Sequence, residues 1–163
     1  AAVPLIGAVP VHEKKRLIQR VAVICIGNIC RSPMAVALLR EGLRQSGTQV
    51  EITSAGLMTL GGQPADPIAI KLIAERGLDI DAHRSVQFSP VDGIKSDLIL
   101  VMSTEMRHFL EESWPLLQGR VYRLGHWGKF DVDDPHRRGE RVFRKALKSI
   151  DTGVTQWLQR ITA

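Results

Sequence analysis

Val23-Ile24-Cys25-Ile26-Gly27-Asn28-Ile29-Cys30-Arg31-Ser32-Pro33 decides how this chain is read: an apolar run stops at a cysteine, a short loop follows, and Arg-Ser-Pro opens a helical pattern. A loop of that length between strand and helix curls around one tetrahedral anion, with successive backbone N–H groups facing it. Gly27 and Asn28 supply the curl, since both tolerate the positive φ that bulky residues resist. Pro33 suits the first turn of the next helix. The N-terminus of that helix adds its own partial positive charge at the anion.

A thiol under several amides, a helix N-terminus and a guanidinium loses its proton readily, so Cys25 is expected as a thiolate that attacks phosphorus and forms a cysteinyl-phosphate. Arg31 offers a planar fork that holds two equatorial phosphoryl oxygens, which a lysine point charge does less well. Ser32 donates a hydroxyl hydrogen bond to the sulfur. The competing reading, a plain buried strand cysteine, leaves Gly27-Asn28 and Arg31-Ser32-Pro33 unexplained. Ile26, Gly27, Asn28, Ile29, Cys30, Arg31 and Ser32 together are expected to line the anion site.

Outward from the loop the chain alternates: strand 21–25, helix 33–46, strand 50–54, helix 66–76, strand 97–102, helix 104–112, strand 121–124, then a long loop before helix 139–160. Gly47 and Gly77 stand where helices should stop. The pattern predicts a single-domain α/β fold, a mostly four-stranded parallel sheet with helices on both faces and a phosphate-binding loop after the first strand. Ligands of such sheets bind beyond the carboxyl ends of the strands, where Cys25 falls.

Expelling an ester oxygen from phosphorus requires a proton donor opposite the nucleophile. Asp131-Val132-Asp133-Asp134-Pro135 offers three carboxyls, with a turn-capping role as the alternative for each.

The loop with its preceding strand resembles the signature of the low-molecular-weight protein tyrosine phosphatase family. Ser54-Ala55-Gly56-Leu57, Ala82-His83, Asp97-Leu98-Ile99-Leu100-Val101-Met102, Gly125-His126-Trp127 and Asp134-Pro135 follow in that family's order, over about residues 20–161. Gly-His-Trp and the Asp-Pro-x-Arg acid loop look most like the bacterial branch associated with capsule and exopolysaccharide export. The resemblance implies Asp134 as general acid, with Asp133 the runner-up, and Ser54 and His83 as supports for Asn28. Val86 stands where the family often has arginine. Leu60 falls at the position of a pocket wall, and His136 replaces the tyrosine that usually follows Asp-Pro. The implied function is hydrolysis of protein phosphotyrosine, with a bacterial tyrosine kinase of polysaccharide export as partner and no cofactor.

Arsenate reductases of this fold use downstream redox cysteines, and none follows Cys30. Protein arginine phosphatases of the family carry threonine where Ile29 stands. A non-catalytic phosphotyrosine-binding module tolerates loss of nucleophile or acid, yet Cys25, Arg31 and Asp134 are all present. Cys30 either packs as a small apolar residue or resolves an oxidised Cys25 as a disulfide.

The 163 residues suffice for one core without staples. The two cysteines form no disulfide framework, which suits a reducing cytoplasm. No apolar run is long enough to span a bilayer, and the charges after the apolar start argue against a secretory signal. Residues 1–19 are expected as a mobile extension, and 20–163 as the phosphatase domain. His12, His83, His108, His126 and His136 show no ligand spacing with Cys or carboxylates, so no metal site is expected. Net charge is +5, and Arg137, Arg138, Arg141, Arg144, Lys145 and Lys148 cluster as a solvated helix face or a rim for acidic substrates. With 5% aromatic residues and no stacking motif, nucleic acid is not expected as a partner.

Overall fold

The computed structural model describes residues 17–163. Most of the expected extension, residues 1–16, lies outside the described residues. Gln19 and Arg20 are tied in: both backbone N–H groups donate to Asp97 Oδ2, at 2.8 and 3.0 Å.

Four strands, β1 (Arg20–Cys25), β2 (Glu51–Gly56), β3 (Leu98–Val101) and β4 (Val121–Arg123), form one sheet in the order β2-β1-β3-β4. All three pairings are parallel, with Cys25 beside Gly56 and Val23 beside Leu100. Residues 21–25 and all of β3 are buried, as central strands covered on both faces must be.

The helices are α1 (Arg31–Ser46), α2 (Pro67–Ala74), α3 (Pro90–Lys95), α4 (Thr104–Ser113) and α5 (Glu140–Ile161). The crossover β1-α1-β2 runs to one side of β1 and β3-α4-β4 to the other. Right-handed crossovers therefore place α1 and α4 on opposite faces. Helix α1 packs with α2 and α5, while α4 lies against β4 and a 3-10 turn, Pro115–Leu117. The stripe Phe143, Ala146, Leu147, Ile150, Val154 and Trp157 buries one face of α5, at the three-and-four spacing a helix requires.

Boundaries differ from expectation by one or two residues at most element ends. Helix α1 starts at Arg31, so the arginine and Ser32 belong to its first turn. It stops at Gly47, whose φ of 69° is the left-handed C-cap expected there. Helix α3 and the 3-10 turn are too short for periodicity to reveal. Each opens with a proline, and Ser89 caps α3 through Val91 N–H.

The carboxyl end of β1 sits where crossovers diverge, the crevice in which doubly wound sheets bind ligands.

Candidate active site

In the segment Ile26–Cys30, which leaves β1, the carbonyls of Ile26, Asn28, Ile29 and Cys30 are each engaged by a donor. Ile26 O accepts from Met58 N–H (2.9 Å), Ile29 O from Asp66 N–H (2.8 Å) and Cys30 O from Met34 N–H (3.4 Å). Asn28 O accepts from His83 Nε2 at 2.6 Å. The N–H groups of Gly27, Ile29 and Cys30 meet no protein acceptor among the described residues. Four of the five acceptors are engaged and donors are kept, the polarity an anion requires.

One residue carries the left-handed step. Asn28 has φ 58° and is fully buried, whereas Gly27, expected to share the positive φ, does not adopt it. The step is held from three sides. Val86 N–H donates to Asn28 Oδ1 at 2.9 Å, and since a backbone amide only donates, the atom facing it must be the oxygen. Asn28 Nδ2 therefore faces Ser32 Oγ (2.7 Å) and Ser54 Oγ (3.1 Å) and donates to both. Ser32, having accepted that bond, keeps its own proton for Cys25 Sγ, 2.9 Å away. Asn28 N–H adds a second donor to the sulfur at 3.2 Å. The same accounting fixes His83: a carbonyl only accepts, so Nε2 bears hydrogen. Burial pushes the His83 pKa down, against the opposing pull of that bond to Asn28, and favours the neutral ring.

Val86 supports the loop through its backbone, and its side chain is 51% exposed. The support therefore does not depend on the residue type at 86. Gly56 is required by contact: a Cβ there would meet Ile26 O at 2.7 Å and Asn28 Cβ at 3.0 Å.

Arg31 is buried, and its Nη1 donates to Val132 O at 2.8 Å while Nη2 lies 3.7 Å from Asp134 Oδ2. The guanidinium thus ties the cup to the aspartate loop. The three carboxyls there part company. Asp131 accepts from Thr104 N–H at the start of α4 and from Arg123, and Asp133 has no side-chain hydrogen bond among the described residues. Asp134 lines the cavity and accepts from His136 N–H at 3.1 Å.

A cavity of about 230 Å³ is lined by Cys25, Ile26, Gly27, Ile29, Cys30, Arg31, Met58, Gln63, Asp134 and His136. Asn28, Ser32, Ser54 and His83 stand behind it as supports. Leu60, expected as a wall, is 95% exposed and does not line it. Thr59 Oγ1 donates to Ser85 Oγ and Thr59 N–H to Gln87 Oε1, which anchors the turn and leaves Leu60 pointing out. Met58 and Gln63 form that side instead, and no local pattern in the sequence marks them.

Both cysteines are free. Burial, with the charges of Asp66, Cys25 and Asp134, pushes the Cys30 thiol up to about 12. His136 Nδ1 lies 3.8 Å from its sulfur, and an Asp66 carboxylate oxygen is within 4.8 Å of both ligand atoms. Histidine spacing along the chain carries no sign of this cluster. Part of the basic stretch is engaged: Arg144 bridges Glu75 and Glu140, and Lys71 also pairs with Glu140, so these charges knit α2 to α5. No helix among the described residues is long and apolar enough to cross a membrane.

A family profile described as "Low molecular weight phosphotyrosine protein phosphatase" matches residues 20–163. The chain is 44% identical over 147 residues to the probable low molecular weight protein-tyrosine-phosphatase EpsP of Ralstonia solanacearum, covering 90% of this chain and 99% of that one. It is 35% identical over 150 residues to the low molecular weight protein-tyrosine-phosphatase Wzb of Escherichia coli K12, covering 90% and 98%. Among solved structures, Vibrio vulnificus Wzb in complex with benzylphosphonate superposes with a TM-score of 0.81 at 31% identity, covering 88% of this chain and 99% of that one. The profile match covers nearly all of the described residues. The protein belongs to the low molecular weight protein-tyrosine-phosphatase family.

Proposed function

We propose that the chain hydrolyses phosphotyrosine in proteins through a cysteinyl-phosphate, with Cys25 as nucleophile, Arg31 as phosphoryl clamp and Asp134 as general acid. The observation that carries this reading is one cavity walled by all three, with Cys25 Sγ receiving hydrogen bonds from Ser32 and Asn28. The thiolate attacks phosphorus as the tyrosyl oxygen leaves with the Asp134 proton. Arg31 follows the equatorial oxygens through the trigonal-bipyramidal state. Asp134, now ionised, takes a proton from water, whose oxygen attacks phosphorus. Phosphate departs and the Cys25 thiolate returns.

Ile26 and Met58 give the entrance apolar sides suited to an aryl ring, and Ile29, Cys30 and His136 complete the walls. A phosphonate bearing a benzyl group binds the Vibrio Wzb relative, which supports an aryl phosphate here. The physiological partner in this reading is a tyrosine-phosphorylated kinase of bacterial polysaccharide export, met in the cytoplasm, where the Cys25 thiol stays reduced. No cofactor enters any step.

Turnover of p-nitrophenyl phosphate and of phosphotyrosine peptides tests it. Cys25→Ser is expected to abolish both while keeping the fold. Asp134→Ala should lose roughly 10²–10⁴-fold on phosphotyrosine and less on p-nitrophenyl phosphate, whose phenolate leaves unprotonated. If Asp133→Ala shows that pattern and Asp134→Ala does not, the acid moves by one residue. Residual activity above a few per cent in Cys25→Ser refutes the covalent route.

A further inference from the structure

We infer that Cys30, Asp66 and His136 form a binding site for a thiophilic divalent cation, zinc foremost, whose occupancy shuts down the neighbouring phosphate cup. The three ligand atoms lie within 4.8 Å of one another, with Cys30 Sγ and His136 Nδ1 at 3.8 Å. Tetrahedral zinc with bonds of about 2.3 Å to sulfur and about 2.1 Å to nitrogen sets that separation near ~3.6 Å. Thiolate, imidazole and carboxylate together suit zinc and disfavour magnesium or calcium, which take oxygen.

Each ligand is held by bonds the cation need not break. Cys30 sits buried at the N-cap of α1. Asp66 caps α2 through Oδ1, which accepts from Ile68 N–H at 2.8 Å, and leaves its other oxygen for the metal. Asp66 N–H donates to Ile29 O, locking it to the cup at 2.8 Å. His136 is anchored by its N–H to Asp134 Oδ1. Such outer bonds orient metal ligands. Asp66, Cys25 and Asp134 surround the Cys30 sulfur with negative charge, opposed by Arg31. A dication answers that charge, and Cys30 releases its proton to solvent as it binds.

The consequence is inhibition. Cys30 and His136 line the cavity that Cys25 and Arg31 also line. A cation fixing His136 immobilises the loop that carries Asp134, two residues earlier, and draws the Cys25 thiolate away from phosphorus.

The test uses the reduced full chain. Cobalt(II) is expected to bind one ion per chain, with a thiolate-to-cobalt charge-transfer band that survives in Cys25→Ser and disappears in Cys30→Ser. This readout needs no turnover, so its failure is separate from failure of the phosphatase reading. Asp66→Asn keeps the helix cap and lies outside the catalytic machinery. Its zinc-free rate should match the parent, while the zinc concentration that halves activity rises at least about tenfold. His136→Phe should show the same rise relative to its own zinc-free rate. Loss of the cobalt band in Cys25→Ser but not in Cys30→Ser, or unchanged zinc inhibition in Asp66→Asn, places the metal on the nucleophile and overturns the proposal.

Discussion

Asn28→Asp replaces an amide by a carboxylate of the same shape and probes the hydrogen-bond direction that runs from Asn28 through Ser32 to Cys25. In the parent, Asn28 Nδ2 donates to Ser32 Oγ at 2.7 Å, which leaves the serine proton for Cys25 Sγ at 2.9 Å. A carboxylate only accepts. Ser32 then turns its proton toward the new carboxylate, and the sulfur loses a donor. One hydrogen bond to a charged group is worth about 1.5–3 kcal/mol. The two links also keep the new negative charge within about 6 Å of the sulfur, where like charges repel by about 3 kcal/mol at an effective dielectric near ~20. Both effects disfavour the thiolate, and they overlap because a rotated serine also screens the charge. We expect kcat/KM for p-nitrophenyl phosphate to fall roughly 10²–10³-fold, about 3–4 kcal/mol. Thermal unfolding followed by circular dichroism should show a folded protein, because Val86 N–H keeps its acceptor. Kinetics within about threefold of the parent in a folded variant would refute the argument that the amide orients the serine.

Gly56→Ala puts a methyl 2.7 Å from Ile26 O, so the loop must shift; we expect about 1–3 kcal/mol of destabilisation with at least about tenfold loss of kcat/KM, and parental kinetics would show that β2 does not set the loop's position. Arg31→Lys keeps the charge but loses the fork and the bond to Val132 O, and should lower kcat at least about 10²-fold; parental kinetics would make Arg31 structural only. His83 has its pKa lowered by burial, so the folded state disfavours the charged ring. Its contribution is intact above the unfolded value of about 6.5 and is lost as pH falls from there through the folded value, by at most about 1.4 kcal/mol per pH unit. His83→Gln keeps a donor for Asn28 O without titrating, so the parent should lose melting temperature relative to it between about pH 7 and 5; parallel curves would remove His83 from the acid sensitivity.

The anion cup was legible because its requirements are local. Cys25, the loop, Arg31, Ser32 and Pro33 are contiguous, and strand, curl and helix start are each set by near neighbours along the chain. The alternation that implies a parallel sheet is likewise a property of successive segments, and the strand order β2-β1-β3-β4 accords with it. The share of the curl expected of Gly27 falls elsewhere, since composition tells which residues tolerate positive φ and not which one uses it. The structure puts it on Asn28 alone.

Contacts between distant segments were decided only by the tertiary fold. Asn28 is held by Ser54 and by the backbone of Val86, 26 and 58 positions away, and a backbone donor leaves no trace in residue identity. Met58 and Gln63 took the wall expected of Leu60 because Ser85 and Gln87 anchor the intervening turn. Cys30, Asp66 and His136 come from the start of α1, the cap of α2 and the aspartate loop, and no spacing rule links three residues whose proximity is set by how helices pack on the sheet. Sequence by itself determined the chemistry that neighbours along the chain create; packing determined which distant groups orient it, wall it and stand close enough to interfere with it.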